Sequence, residues 1–251
     1  MFDTHCHLTY FDNPHELIGQ AKEANLVGVL SLSTNTDNFE PNLTLKRNYI
    51  DFVKIGIGIH PEDASHDKFN SLNRFYQENN TEIDVVGEIG LDYFHNTSNL
   101  SIQKELFEMQ IEIAKKYDKP IVVHSRNSKD AGFHSCIKDA IELLDKFDGK
   151  AVLHCFTGSL EEAKLVLESG CYVGFTNIIT YPKNLELQGI AKFAIQNFPD
   201  KVLFETDAPF LPPANRRGQI CFPDDVKYVY EWFKENTSVE QVKQNVIDFL
   251  S

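Results

Sequence analysis

The chain has 251 residues, the usual size of one (β/α)8 barrel and ample for a full hydrophobic core. Its 42% hydrophobic and 24% charged composition excludes a disordered chain, and no apolar run approaches the ~18 residues that cross a bilayer. A net charge of −13 argues against a broad footprint on duplex DNA, but leaves nucleic-acid ends open, because bound divalent ions reverse the field locally.

Eight short apolar runs alternate with helix-like segments. The first strand is Met1–His5, so a cleaved signal peptide is not expected. Pro14–Asn25 reads as a helix with Pro14 in its first turn, followed by a strand over Leu26–Ser31 and a short helix over Asn38–Asn48. Val53–His60 is the third strand, Asp67–Asn79 the next helix, and Asp84–Gly90 the fourth strand. Leu100–Tyr117 places Leu106, Met109, Ile113 and Tyr117 on one helical stripe. Pro120–Ser125 (strand) and Lys129–Phe147 (helix) follow, then Ala151–Phe156 (strand) and Leu160–Ser169, a helix stopped by Gly170. Cys171–Thr176 is the seventh strand, Asn184–Asn197 a helix and Val202–Asp207 the eighth strand. A Pro-rich loop, Pro209–Pro223, leads to helices over Asp224–Asn236 and Val239–Leu250. This alternation predicts a parallel sheet, and eight units in this length predict a closed (β/α)8 barrel. No Gly-x-Gly-x-x-Gly turn follows the first strand, which weakens a dinucleotide-binding alternative. With no linker or break in composition, one domain over 1–251 is expected. Cys6, Cys136, Cys155, Cys171 and Cys221 form no CxxC pair and read as reduced, buried thiols of a cytoplasmic protein.

Barrel enzymes carry their chemistry at the carboxyl ends of the strands. Those ends hold His5 and His7, His60, Glu88, His124, His154, and Glu205 with Asp207. His15, His66, His95 and His134 lie in helices or loops, where solvated side chains are expected. Residues two apart on a strand share a face, so His5 and His7 project together while Cys6 faces the other way. Each ligand candidate alone has an ordinary structural reading, such as a hydrogen-bonded core histidine. A buried ring of four histidines and two carboxylates is costly unless a cation sits within it. Six ligands exceed the four of one zinc site and fit two ions bridged by a carboxylate. Nitrogen and oxygen donors suit Zn, Mn, Fe or Ni, and Mg less well. We assign His5, His7, Glu88 and Asp207 to one ion and Glu88, His124 and His154 to the other.

The runs Asp3-Thr4-His5-Cys6-His7-Leu8, Gly58-Ile59-His60-Pro61, Gly87-Glu88-Ile89-Gly90-Leu91-Asp92-Tyr93, Lys119-Pro120-Ile121-Val122-Val123-His124-Ser125-Arg126, Leu153-His154-Cys155-Phe156-Thr157-Gly158 and Glu205-Thr206-Asp207-Ala208-Pro209 resemble the TatD family of metal-dependent hydrolases, within the wider amidohydrolase-like barrels. They occur in family order and span almost the entire chain. The resemblance implies a TIM barrel with two divalent ions (Mg, Mn or Zn) held by His5, His7, Glu88, His124, His154 and Asp207. It also implies deoxyribonuclease activity, often 3′ to 5′ on single-stranded DNA. One departure follows the Pro-rich loop, where Arg216-Arg217-Gly218 runs into Gln219-Ile220-Cys221-Phe222-Pro223 instead of the family's Asn-Glu-Pro-like turn. That loop is expected to border the substrate and tune its choice.

The expected mechanism is hydrolysis by metal-activated water, with Asp207 as general base. Glu205 is assigned to the catalytic machinery, chiefly to orient a ligand histidine. His60 and Arg126 are expected to bind substrate, Arg126 through a phosphate oxygen. Tyr93, Phe94 and Phe156 could stack on a base. The alternatives are an amidohydrolase or small-molecule phosphoesterase of the same barrel class, or a non-catalytic metal-binding barrel. DNA is the expected partner, with no membrane, no obligate protein partner and a monomeric state.

Overall fold

A computed structural model describes residues 1–95, 99–130 and 135–251. Eight parallel strands are hydrogen-bonded in chain order: β1 (Phe2–Cys6), β2 (Gly28–Leu32), β3 (Val53–Ile57), β4 (Val85–Asp92), β5 (Ile121–Arg126), β6 (Ala151–Leu153), β7 (Tyr172–Phe175) and β8 (Val202–Phe204). The ring closes between its first and last members. Cys6 and Ala208 form a parallel bridge, His7 N donates to the Ala208 carbonyl at 2.7 Å, and Asp207 N donates to the His5 carbonyl at 2.8 Å. The expected (β/α)8 barrel is therefore the observed architecture.

Helices cover the outside: α1 (Pro14–Glu23), α2 (Phe39–Asn48), α3 (His66–Asn79), α4 (Leu100–Tyr117), α5 (Cys136–Leu144), α6 (Leu160–Glu168), α7 (Leu185–Asn197), α8 (Val226–Phe233) and α9 (Val239–Leu250). Side-chain caps open α1, α3, α5, α6 and α9. Asn13 accepts from Glu16 N ahead of Pro14, and Ser159 with Glu162 makes a capping box on α6. Gly170, with φ +86, ends α6 as expected. The main apolar core lies between helices and sheet. Leu30, Leu32, Val85, Val122, Val152 and Leu203 form a second cluster with Phe249 and Val246 of α9, which closes the barrel at the end away from the ligands. Among the described residues, no helix is long and apolar enough to cross a membrane.

Several boundaries differ from expectation. The helix expected from Lys129 begins at Cys136, capped by the Ser135 side chain. Strand β4 runs two residues past Gly90, to Asp92. Strands β6 and β8 stop at Leu153 and Phe204, short of the expected Phe156 and Asp207. Both stop because the chain steps out of extended geometry just beyond, where Cys155 and Asp207 adopt φ of +44° and +63°. Four of the five thiols are buried, and Cys155 is the partly open exception.

Candidate metal centre

At the carboxyl end of the barrel the expected ligands converge. His5 Nε2 lies 3.3 Å from His7 Nε2, 3.3 Å from Glu88 Oε2 and 3.6 Å from Asp207 Oδ1. His7 Nε2 lies 3.5 Å from the same Glu88 oxygen and 3.3 Å from Asp207 Oδ1. The other oxygen of Glu88, Oε1, faces a different set: His124 Nδ1 at 2.9 Å and His154 Nε2 at 2.8 Å, with those two nitrogens 3.3 Å apart. One carboxylate thus addresses two donor sets, one through each oxygen. His60 Nε2 stands 3.7 Å from Glu88 Oε1, with its ring edge-on to His124 at 4.3 Å.

The donors fit divalent metals. A tetrahedron of bonds near 2.0–2.1 Å has edges of about 3.3–3.4 Å, and the histidine distances in the first set, 3.3 to 3.6 Å, are close to it. The nitrogens are also aimed correctly. His7 Nδ1 meets the Leu32 carbonyl at 3.0 Å; a carbonyl only accepts, so Nδ1 carries the proton and the Nε2 lone pair points inward. His124 Nε2 meets Asp92 Oδ2 at 3.0 Å, which leaves Nδ1 for the centre. His5 Nδ1 and His154 Nδ1 are buried and have no hydrogen-bond partner among the described residues. The His5 and His154 rings stack, with centroids 3.9 Å apart and planes within 11°.

Burial and the cluster's own contacts set its charges. Burial pushes His5 down to about 4 and His60 down to about 3, so both rings are neutral at physiological pH. Burial works against charge on His124 too, but hydrogen bonds to Asp92 and Glu88 outweigh it and raise this ring to about 9. Burial likewise opposes ionisation of Glu88, yet the facing His154 and His5 hold it well below the ordinary carboxylate range. For Asp207, the hydrogen bond to His7 overcomes burial and lowers the carboxyl.

Glu205 does not lie on a strand face shared with Asp207, because β8 ends at Phe204 and the alternation ends with it. Its buried carboxylate accepts the Cys155 backbone N–H, and Oε1 sits 3.9 Å from His154 Nδ1. Burial raises its pKa well above the usual value. Gly174 makes room for it: a Cβ there would sit 2.4 Å from Glu205 Oε2.

The candidate ligands open into a cleft of about 760 Å³, and His60 and Arg126 are among the residues that line it. The Arg126 guanidinium lies 4.3 Å over the Phe94 ring. Tyr93 and Phe156 are only 1% and 2% exposed, so neither can stack on a base. The Arg216–Pro223 segment does not border the cleft as expected. Arg216 is clamped by both oxygens of Asp225 at 2.6 and 2.7 Å, and the loop lines the cleft through Phe210 and Leu211. His15 is exposed and pairs with Tyr49, and His66 is exposed beside Glu105, as expected for solvated rings. His95 is exposed too, and it also lines the cleft, with Nδ1 3.0 Å from both Asp92 Oδ2 and Glu62 Oε1. His134 lies outside the described residues. Asp92, the partner of the candidate ligand His124, is not marked by the strand-end pattern. The period of two from Glu88 through Gly90 would have found it had the strand been carried two residues further.

Comparison with known proteins agrees with this geometry. The family model described as TatD related DNase matches residues 2–249. An uncharacterized metal-dependent hydrolase of Bacillus subtilis, YabD, is 32% identical over 242 residues, covering 94% of this chain and 90% of that one. A Dickeya dadantii protein named 3′-5′ ssDNA/RNA exonuclease TatD is 32% identical over 246 residues, covering 92% and 90%. The crystal structure of YjjV, a TatD homolog from Escherichia coli, superposes with a TM-score of 0.85 at 27% identity, covering 99% of this chain and 95% of the other. With a family match over nearly its whole length and a barrel that gathers the expected donors at one mouth, this chain belongs to the TatD-related family of metal-dependent hydrolases acting on ester bonds.

Proposed function

We propose that this protein is a deoxyribonuclease that removes nucleotides from the 3′ ends of single-stranded DNA. The observation that carries the reading is Glu88, whose two oxygens face two separate donor sets. His5, His7, Glu88 and Asp207 would hold one divalent ion, and Glu88, His124 and His154 a second. Such a pair supplies Lewis-acid charge for a phosphodiester and an acidified water near it. Asp207 accepts the proton of that water. It is ionised, and 15% of its side chain is exposed, against 3% for Glu88. Glu205 is a positioning residue: buried, it holds the Cys155 backbone and faces His154 without reaching the cleft. Arg126 binds a phosphate oxygen and His60 contacts the scissile group. The named exonuclease relative supports a strand substrate, at an identity of 32%. In this reading one barrel domain over 1–251 acts as a monomer in the cytoplasm, its five free thiols reduced.

The test is digestion of 3′- and 5′-labelled single-stranded DNA with Mg2+ or Mn2+, beside Asp207→Asn. Stepwise shortening from the 3′ end is expected, slowed roughly 10²–10⁴-fold in the variant. Shortening from the 5′ end would reverse the polarity, and undiminished turnover by Asp207→Asn would remove the base assignment. Retained cleavage of small phosphate or carboxylic esters with no action on DNA would move the substrate to a small molecule.

A further inference from the structure

Two aromatic side chains stand at the cleft with no role in the metal centre. Tyr10 is 42% exposed and Phe210 is 48% exposed, and both line the cleft. Each follows a ligand by three residues, Tyr10 after His7 and Phe210 after Asp207, so their positions are tied to the centre. The Tyr10 ring stacks on the His7 ring at 5.2 Å and 22°. The Phe210 ring stands edge-on to both, 6.1 Å from Tyr10 at 88° and 6.2 Å from His7 at 68°. Neither ring is loosely held. The Tyr10 hydroxyl is hydrogen-bonded to Thr34 Oγ1 at 2.5 Å, and Thr34 Oγ1 donates to Asn38 Oδ1 at 3.2 Å. Phe210 N donates to the Asp207 carbonyl at 2.8 Å, closing a tight turn in which Asp207 has φ +63°. Two fixed, half-open rings at right angles form a corner rather than core packing.

We propose that Tyr10 and Phe210 form the seat of the terminal nucleobase, holding it by stacking and edge contact while its phosphodiester lies over the ligand cluster. This assignment rests on the nuclease reading above. The rest of the rim supports it. Glu62 and Asp63 line the cleft too, and their carboxylates would repel a strand's phosphates. Phe94 cannot serve as the platform, because Arg126 and Lys129 both sit 4.3 Å from its ring centroid. The uncharged aromatic wall is therefore Tyr10 with Phe210. Stacking accepts any base, so the corner favours a nucleotide end over a bare phosphate ester without reading sequence.

The experiment uses the metal-loaded full chain and single-stranded oligonucleotides with a cleavage-resistant phosphorothioate at the terminal linkage. One oligonucleotide ends in the fluorescent base 2-aminopurine and the other in an abasic residue, with versions for each end. The wild type is expected to quench terminal 2-aminopurine and to bind the base-ended strand roughly tenfold or more tightly than the abasic one. In Phe210→Ala and Tyr10→Ala that ratio falls toward one and the quenching is lost. Phe210→Leu, which keeps apolar area without a π face, shows an intermediate ratio, and circular dichroism verifies each fold. Equal quenching and an unchanged ratio in both alanine variants would overturn the assignment. A wild type that shortens unmodified DNA yet never quenches the terminal base removes this proposal and leaves the nuclease reading standing. A wild type that neither binds nor shortens the strand removes both.

Discussion

Asp92 serves two rings with one oxygen. Its Oδ2 meets His124 Nε2 and His95 Nδ1, each at 3.0 Å, while Oδ1 accepts the backbone N–H groups of Phe94 and His95 at 2.7 Å. The carboxylate is fully buried, and these bonds hold it ionised despite the cost of burial. Its effect on the metal centre runs through the tautomer of His124. A carboxylate keeps the proton on Nε2 and the lone pair on Nδ1, where Glu88 and His154 converge. In Asp92→Asn an amide N–H can face Nε2 and draw the proton onto Nδ1. We expect an intact fold and metal affinity reduced roughly 10- to 100-fold, read by titrating metal-stripped protein with Mn2+ or Zn2+. Equal affinity in variant and wild type would show that something other than Asp92 sets the ring.

Strand β4 carries Glu88 and Asp92 on one face, and Gly90 stands between them where a side chain cannot. Gly90 has φ +139°, and a Cβ there would lie 2.1 Å from the His124 carbonyl oxygen. The close approach keeps β4 in register with β5, pairing Gly90 with His124, so Glu88 reaches that histidine. Gly90→Ala should lose about 2–4 kcal/mol in chemical denaturation, from backbone strain and overpacking together. A loss under about 0.5 kcal/mol would mean the strands part at no cost. These elements also show what the sequence could reveal. The alternation of strands and helices exposed the barrel, and the rule that strand ends face its mouth pointed to His5, His7, His60, Glu88, His124, His154 and Asp207, which the fold brings together. The ends of β6 and β8 were hidden, because the turns at Cys155 and Asp207 leave no mark in an apolar pattern. Side-chain direction was hidden as well. Tyr93 and Phe156 adjoin ligand strands yet turn into the core, whereas Tyr10 and Phe210, outside any strand, face the cleft. Periodicity says nothing about side-chain direction once a strand has ended.

At the scale of the molecule, four buried carboxyl groups, Asp3, Glu88, Asp92 and Glu205, gather at one barrel mouth with the partly exposed Asp207. Burial raises Asp3 to about 8 and raises Glu205 well above the ordinary carboxylate range, so the fold disfavours a full set of negative charges there. Cations at the centre should therefore stabilise the fold as a whole. A metal at 100 times its Kd adds about 2.7 kcal/mol, or roughly 5–10 °C in Tm for a chain of this length. The gap should depend on pH. The folded pKa of His124, about 9, lies above its ordinary 6.5, so its contribution to the metal-free form is fully present below pH 6.5 and lost as pH rises through 9. Metal needs the neutral ring and binds better over that same interval. Thermal melts with and without EDTA should diverge steadily from pH 6 to pH 9, and a constant gap would sink this account. The closure of the ring has a separate consequence, for the way the chain is made. His5 and His7 leave the ribosome early, but Asp207 joins them only after two hundred further residues, and it is the β1–β8 bridge at Cys6 and Ala208 that brings them together. Loop closure over that distance comes late in folding. A nascent chain therefore carries an incomplete donor set throughout most of its synthesis, and the set is whole only once the last strand has joined the ring.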